Sequence, residues 1–248
     1  MICHICIHRE EFYAMDKFTS RKILNAAAYI LYAIFAVLYF IPAFGLPHKI
    51  CIPVFILAAL SAGKVPWQIT AALVFSALGD LAGSFKASTG SDLALVFQIL
   101  FFALGHIFYI IYFCVTAFSH KRNQDKATKK SGLYIFAVLL LCAGIFCVTL
   151  NCIVPCVDIK LLKICVACYA AIIMTMLFSA LMTRDWIIGL GAVLFVTSDF
   201  ILAWNMFVGE IPGENYLTMV SYYAAQAIIA TRIMFNQRIC TKQCQNTE

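Results

Sequence analysis

The chain has 248 residues, of which 63% are hydrophobic and 12% charged, with a formal net charge of +6 and a mean hydropathy of +0.91. Soluble domains run to about 45–50% apolar and about 25% charged residues, and a larger core cannot absorb the excess, because a chain of this length still needs a polar surface. Six prolines and twelve glycines exclude a collagen-like or disordered chain, and the twelve cysteines sit mostly in apolar runs, as small hydrophobes and not as a disulfide scaffold.

The expected fold is therefore all-α, a polytopic membrane protein. Residues 1–21 form a polar arm. Its Cys3, His4, Cys6 and His8 look like half of a metal site, but no second half follows at zinc-finger spacing, so no metal is expected. The arm lacks a charged-then-apolar leader pattern, so the first apolar segment is expected to stay as a signal anchor.

Eight apolar segments follow over residues 22–236: Lys22–Ile41, Lys49–Ala62, Trp67–Phe85, Leu93–Phe118, Gly132–Leu150, Lys160–Met182, Trp186–Val208 and Tyr216–Phe235. Most approach the ~20 residues that cross ~30 Å of hydrocarbon; the second is short and needs tilting or shielding by neighbours. Pro42, Pro47, Pro66, Pro155 and Pro212 fall between segments, and Pro53 falls in a first turn, where its missing N–H costs little. Cys152 and Cys156, in the fifth connection, are candidates for a disulfide in an oxidising compartment. Residues 237–248 form a tail, where Cys240 and Cys244 lie beside basic residues and are candidates for palmitoylation.

Lysine and arginine set the orientation. Four lie on the arm, one at Lys64, five between Lys121 and Lys130, one at Arg184 and three at the C-terminal end, against Lys49, Lys86, Lys160 and Lys163 on the other side. A split of 14 to 4 predicts cytosolic termini and an even number of spans. The net positive charge reads as membrane anchoring and not as nucleic-acid binding. Trp67 precedes Asp80 by thirteen residues and Trp186 precedes Asp199 by thirteen, so a shift of 119 residues carries one half onto the other. That suggests a parallel four-plus-four repeat.

Chemistry must come from polar groups within the apolar runs. Asp80 and Asp199 are the acids deepest in the segments, and each costs about 2.5–3.5 kcal/mol at the bilayer centre, so such groups usually face a cavity or a partner. Both stand ~20 Å along their helices at 1.5 Å per residue, hence at one depth. Taken singly, each Asp is bonded to a neighbouring backbone group or lysine, Lys49 snorkels, His106 is a packing histidine and the tyrosines belong to an interfacial belt. Together, Asp80, Asp199, Lys49, His106, Tyr222, Tyr223, Gln226 and Asn205 supply two acids, a cation and several donors to one cavity.

Four stretches carry a resemblance. They are Lys49 to Leu57, Phe75-Ser76-Ala77-Leu78-Gly79-Asp80, Gly105-His106-Ile107-Phe108-Tyr109, and Gly191 through Ser198-Asp199 and Asn205 to Ser221-Tyr222-Tyr223-Ala224-Ala225-Gln226. They resemble the lysoplasmalogenase family, the YhhN-like integral membrane proteins, and most of all its animal branch. The match spans about residues 30–235 and is most specific at Tyr-Tyr-Ala-Ala-Gln.

The resemblance implies hydrolysis of the vinyl ether bond of lysoplasmalogens, in the endoplasmic reticulum membrane, to a fatty aldehyde and glycerophosphoethanolamine or glycerophosphocholine. Cleavage begins with protonation of the β carbon and passes through an oxocarbenium ion. Asp80 and Asp199 are the expected catalytic pair, one donating the proton and one stabilising the cation or activating water, as paired acids do in glycosidases. Which of them is the acid stays open. Lys49 is expected to meet the phosphate, and His106, Tyr109, Asn205, Tyr222, Tyr223 and Gln226 to orient substrate or water. No cofactor is expected; the partners are a lysophospholipid and the bilayer, and oligomeric state is not legible. A small-solute or lipid transporter with midplane acids is the alternative. An intramembrane aspartyl protease is disfavoured because Ala77 breaks its Gly-x-Gly-Asp pattern, and a heptahelical receptor by the even count.

Overall fold

A computed structural model of the chain describes residues 25–41, 49–122 and 128–245, with side chains described outside 119–131 and 238–245. The Cys3–His8 cluster, most of the Lys121–Lys130 loop and the side chains of Cys240 and Cys244 lie outside the described residues. Those described are helical, without strands.

Eight helices appear where eight apolar segments are drawn. They are α1 (Asn25–Leu38), α2 (Ile52–Ser61), α3 (Trp67–Thr89), α4 (Asp92–Arg122), α5 (Thr128–Val148), α6 (Lys160–Met182), α7 (Trp186–Phe207) and α8 (Glu214–Gln245). Five, α3 to α7, are long and apolar enough to cross a membrane; α1 and α2 are apolar but shorter. α8 has the length, 32 residues, but polar groups such as Glu214, Asn215, Thr218, Gln226, Arg232 and Asn236 run along it. The expectation of eight spans is thus met in number of helices and only in part in their reach.

Local chemistry explains the boundaries. Pro53 opens α2 after a 3₁₀ turn at Lys49–Cys51, and Pro66 is the N-cap of α3. Gly90, at φ 70°, takes the left-handed conformation that ends α3 and turns the chain into α4. α5 runs on through a π turn, Thr149–Ile153, and a 3₁₀ turn, Val154–Cys156. Cys152 and Cys156 stand in this extension as free, exposed thiols, and the Cys156 Sγ donates to the Cys152 carbonyl at 3.3 Å. The structure therefore holds no bridge at the place suggested for one.

The packing follows hairpins. α3 lies along α4 and α7 along α8; α2 packs on α3 and α6 on α7; α4 meets α6 and α2 meets α8. α1 is fastened to α8 by hydroxyls: Tyr32 donates to the Tyr223 carbonyl at 2.6 Å and Tyr39 to Asn215 at 2.5 Å. α5 is peripheral, with Leu133, Phe136, Leu139, Leu140 and Leu141 exposed, an apolar face suited to lipid. The core is lined chiefly by α2, α3, α4, α6, α7 and α8, with Tyr32 of α1 and Val138 and Cys142 of α5 joining it, and Asp80, His106, Tyr109, Tyr222, Tyr223 and Gln226 are buried among these helices.

Candidate active site

Close helix approach makes the site. Gly79 leaves no room for a side chain, since a Cβ there would stand 2.8 Å from the Phe102 ring. At Gly191 a Cβ would stand 2.6 Å from Ile229. These glycines let α3 close on α4 and α7 on α8 in the same way. The Ser198 hydroxyl then ties α7 to α8 by donating to the Thr218 carbonyl at 3.1 Å.

Asp80, on α3, is 3% exposed. The Tyr222 hydroxyl of α8 donates to its Oδ2 at 2.9 Å. Asp199, on α7, has a side chain 15% exposed, and its Oδ2 accepts from the Tyr169 hydroxyl of α6. Each intramembrane acid is thus held by a tyrosine from another helix. The Phe195 ring lies between their surroundings, with its centroid 4.6 Å from His106 and 5.4 Å from Tyr222, near-perpendicular to both.

His106, on α4, joins the Asp199 side. Its Nε2 is 3.0 Å from the Tyr169 hydroxyl and 3.7 Å from Asp199 Oδ2. Tyr109, one turn on, donates to Gln226 Oε1 at 2.7 Å. Tyr109 and Gln226 thus form one buried polar pair, and Tyr222 and Asp80 another. His106 Nδ1 and Gln226 Nε2 are buried without a hydrogen-bond partner. Unsatisfied polar atoms at such depth are uncommon, and each calls for an explanation.

Three expected residues are placed differently. Tyr223 donates to the Ile50 carbonyl at 2.8 Å, pinning α8 to the start of α2. Lys49 reaches the Ile41 carbonyl at 3.1 Å and stands over the Tyr39 ring at 5.8 Å from its centroid. Tyr39 in turn meets Tyr223 edge-on, so Lys49 borders the site through aromatic rings. The Asn205 Oδ1 accepts from the Ile211 N–H at 2.9 Å and so fixes the turn from α7 to α8. Sequence reading missed Tyr169 and Phe195. For Tyr169 a signal existed, because a phenol midway along an apolar helix needs a partner for its hydroxyl.

Chemically, the site offers two enclosed carboxyls with phenol donors, a histidine and an amide, surrounded by aromatic rings. Among the described residues no three His, Cys, Asp or Glu side chains converge on a metal-sized site.

Residues 49–233 match the model of the YhhN family. The chain is 28% identical over 195 residues to mouse lysoplasmalogenase TMEM86B, covering 77% of this chain and 74% of the relative. It is 29% identical over 183 residues to the rat protein of the same name, covering 73% and 67%. It is also 42% identical to the human one over 64 residues, covering 26% and 28%. No solved structure matches the chain.

Proposed function

The chain belongs to the YhhN family, and on that premise we propose that it is a membrane-embedded lysoplasmalogenase. The substrate is a lysoplasmalogen and the bond cleaved is its vinyl ether. The products are a fatty aldehyde and glycerophosphoethanolamine or glycerophosphocholine. The observation that carries this reading is the pair Asp80 and Asp199, presented from α3 and α7 into one interior, each on a tyrosine hydroxyl.

The reaction asks for such a pair. A carboxylic acid gives its proton to the β carbon of the alkenyl chain, and the electron pair of the double bond forms the new C–H bond. The positive charge that results is shared with the ether oxygen as an oxocarbenium ion, opposite which a carboxylate is stabilising. Water adds to the cationic carbon and gives one proton back to the carboxylate that supplied the first, and the hemiacetal then collapses as its hydroxyl proton passes to the departing glycerol oxygen. One water is consumed and the acid is restored. Tyr109, Tyr222 and Gln226 orient the reacting groups, and Lys49, bordering the site through Tyr39 and Tyr223, attracts the phosphate as a point charge.

The test uses purified protein with three lysophospholipids that differ only at the sn-1 link: alkenyl ether, alkyl ether and acyl ester. Only the alkenyl ether should yield aldehyde, because an alkyl ether has no double bond to protonate. Equal cleavage of the acyl ester would make the protein an esterase. Asp80→Asn and Asp199→Asn should each lower turnover by at least ~10²-fold, the low end for positioned acid–base catalysis, while inserting normally. A folded Asp199→Asn protein with near-native turnover would remove the paired-acid mechanism. Lys49→Ala should raise KM more than it lowers kcat.

A transporter is the second reading. It is favoured by the way the neighbours of α2, α3 and α4 repeat in those of α6, α7 and α8, as a parallel duplication requires. Lipid or solute flux into proteoliposomes without turnover would select it.

A further inference from the structure

Left-handed backbone among the described residues falls at Gly63, Gly90, Gly213 and one residue that is not glycine, Arg184, at φ 58°. Arg184 directly follows Thr183, the C-cap of α6, at the position where helices most often end on glycine. Its N–H meets the Leu181 carbonyl at 3.2 Å, a bond glycine would make as well. The backbone disfavours a side chain here, so the reason for an arginine lies in its guanidinium. That group stands over the Tyr134 ring of α5, 5.2 Å from the centroid. The Tyr134 hydroxyl donates to the Leu181 carbonyl at 2.9 Å. These residues enclose a cavity of about 290 Å³, lined by Tyr134, Leu181, Arg184, Asp185 and Trp186. The acid in this lining is already met: Asp185 receives Arg232, Asn236 and the Ile187 N–H. Tyr134 carries no charge to cancel that of Arg184.

The residues around the cavity face outward. Trp186 is 75% exposed, and Leu133 beside Tyr134 and Leu190 one turn beyond Trp186 are exposed too. Trp and Tyr rings suit the boundary between lipid and water. The lysine and arginine count places this end of the bundle in the cytosol, where the leaflet carries anionic lipid. We propose that the cavity binds the phosphate of an anionic glycerophospholipid. Arg184 meets the phosphate with a planar fork of N–H donors, Tyr134 and Trp186 flank the glycerol, and the acyl chains lie along the exposed side of α5. This lipid is not the reacting one. Asp185 stands fourteen residues before Asp199, ~21 Å along α7 at 1.5 Å per residue. Only the glycerol separates the vinyl ether of a lysophospholipid from its phosphate, so a headgroup held here keeps that bond far from Asp199. The bound lipid joins the peripheral α5 to the corner between α6 and α7. The site stands whether or not the chain cleaves vinyl ethers.

The test follows thermal unfolding of the full chain in neutral detergent as dioctanoyl phosphatidylglycerol is added. The melting temperature should rise and saturate, as for a ligand that binds only the folded state. Dioctanoyl phosphatidylcholine, with the same chains and no net charge, should need at least ~10-fold more for the same rise. Inorganic phosphate at matched concentration should leave the melting temperature unchanged. An equal rise with inorganic phosphate would mean a site for a free anion and overturn the lipid. Arg184→Asn suits the left-handed backbone and removes the cation. It should raise the half-saturating phosphatidylglycerol concentration by at least ~10-fold, the loss of a charge-assisted hydrogen bond. If Arg184→Asn does not fold, Arg184→Gly makes the same measurement. Lys160→Gln, which removes a charge from the other end of the bundle, should saturate as the wild type does. Unchanged saturation in the Arg184 variants, or an equal loss in Lys160→Gln, would reduce the lipid to diffuse charge and overturn the site.

Discussion

At the scale of single residues, charge in hydrocarbon is the loudest signal a sequence carries. Asp80 and Asp199 are legible for that reason, and Lys49 and His106 with them. Tyr169 is not, because a tyrosine counts among apolar residues until its hydroxyl is followed to a partner. Nor does the sequence tell two adjacent tyrosines apart. Tyr222 gives its hydroxyl to the enclosed carboxyl of Asp80, whereas Tyr223 gives its own to the Ile50 backbone. Their phenylalanine variants should therefore differ. Tyr222→Phe strips the donor from a buried acid and should cost about 1–3 kcal/mol of stability together with most of the turnover. Tyr223→Phe should cost less, toward the ~1 kcal/mol of an ordinary hydrogen bond, since the Ile50 carbonyl it leaves is only partly buried, and keep turnover. Melting and steady-state kinetics of the two variants side by side check this. Equal loss of activity in both would place the Tyr223 hydroxyl in the reaction.

At the scale of helices, hydropathy locates each element and says little of how near its neighbours come. The eight segments are found at their places, but the continuation of α5 into a π turn and the run of α8 to Gln245 depend on backbone bonding that apolar counting does not sense. Glycines are equally ambiguous in sequence. Gly105 sits beside His106, where a Cβ would stand 3.1 Å from the Ala72 carbonyl oxygen and 3.2 Å from Ser76 Oγ. Gly144, on the lipid-facing α5, has nothing within 4 Å. The carbonyl at Ala72 belongs to the rigid backbone of α3, so Gly105→Ala should force α3 and α4 apart and cost about 1–3 kcal/mol, the range for overpacking. The His106 ring would shift with α4, lowering turnover further. Gly144→Ala should instead gain up to ~1 kcal/mol from helix propensity. Opposite shifts in melting temperature in detergent are the expected outcome, and a Gly105→Ala protein as stable as the wild type would contradict the close approach.

At the scale of the whole molecule, the distribution of lysine and arginine predicts which end faces the cytosol, and the ends are where helices are tied across the bundle. Cys152 and Cys156 are exposed at one end, so a membrane-impermeant maleimide should reach them from the non-cytosolic side only. At the other end, Asp185 joins α7 to α8. Its side chain caps α7 by accepting from the Ile187 N–H at 3.1 Å, and it receives Arg232 Nε at 2.7 Å and Asn236 Nδ2 at 3.2 Å from α8. Burial pushes the Asp185 carboxyl up, but the hydrogen bonds from Arg232 and Asn236, the Arg232 charge and the Ile187 N–H together hold it below its ordinary value. A carboxyl whose value is lower folded than unfolded stabilises the fold in full above its unfolded value, about 3.9, and ceases to do so as pH falls through the folded one. Asp185→Asn keeps the shape and loses the charge, so it should lower stability by on the order of 1–2 kcal/mol, a partly screened charge-assisted link. Melting curves in detergent should show a constant gap between wild type and Asp185→Asn from pH 8 to pH 5 that closes below about pH 4, near the free aspartate value. A gap that grows with acid would mean that Asp185 is protonated more readily in the fold than out of it, and that Arg232 does not hold α8 to the start of α7.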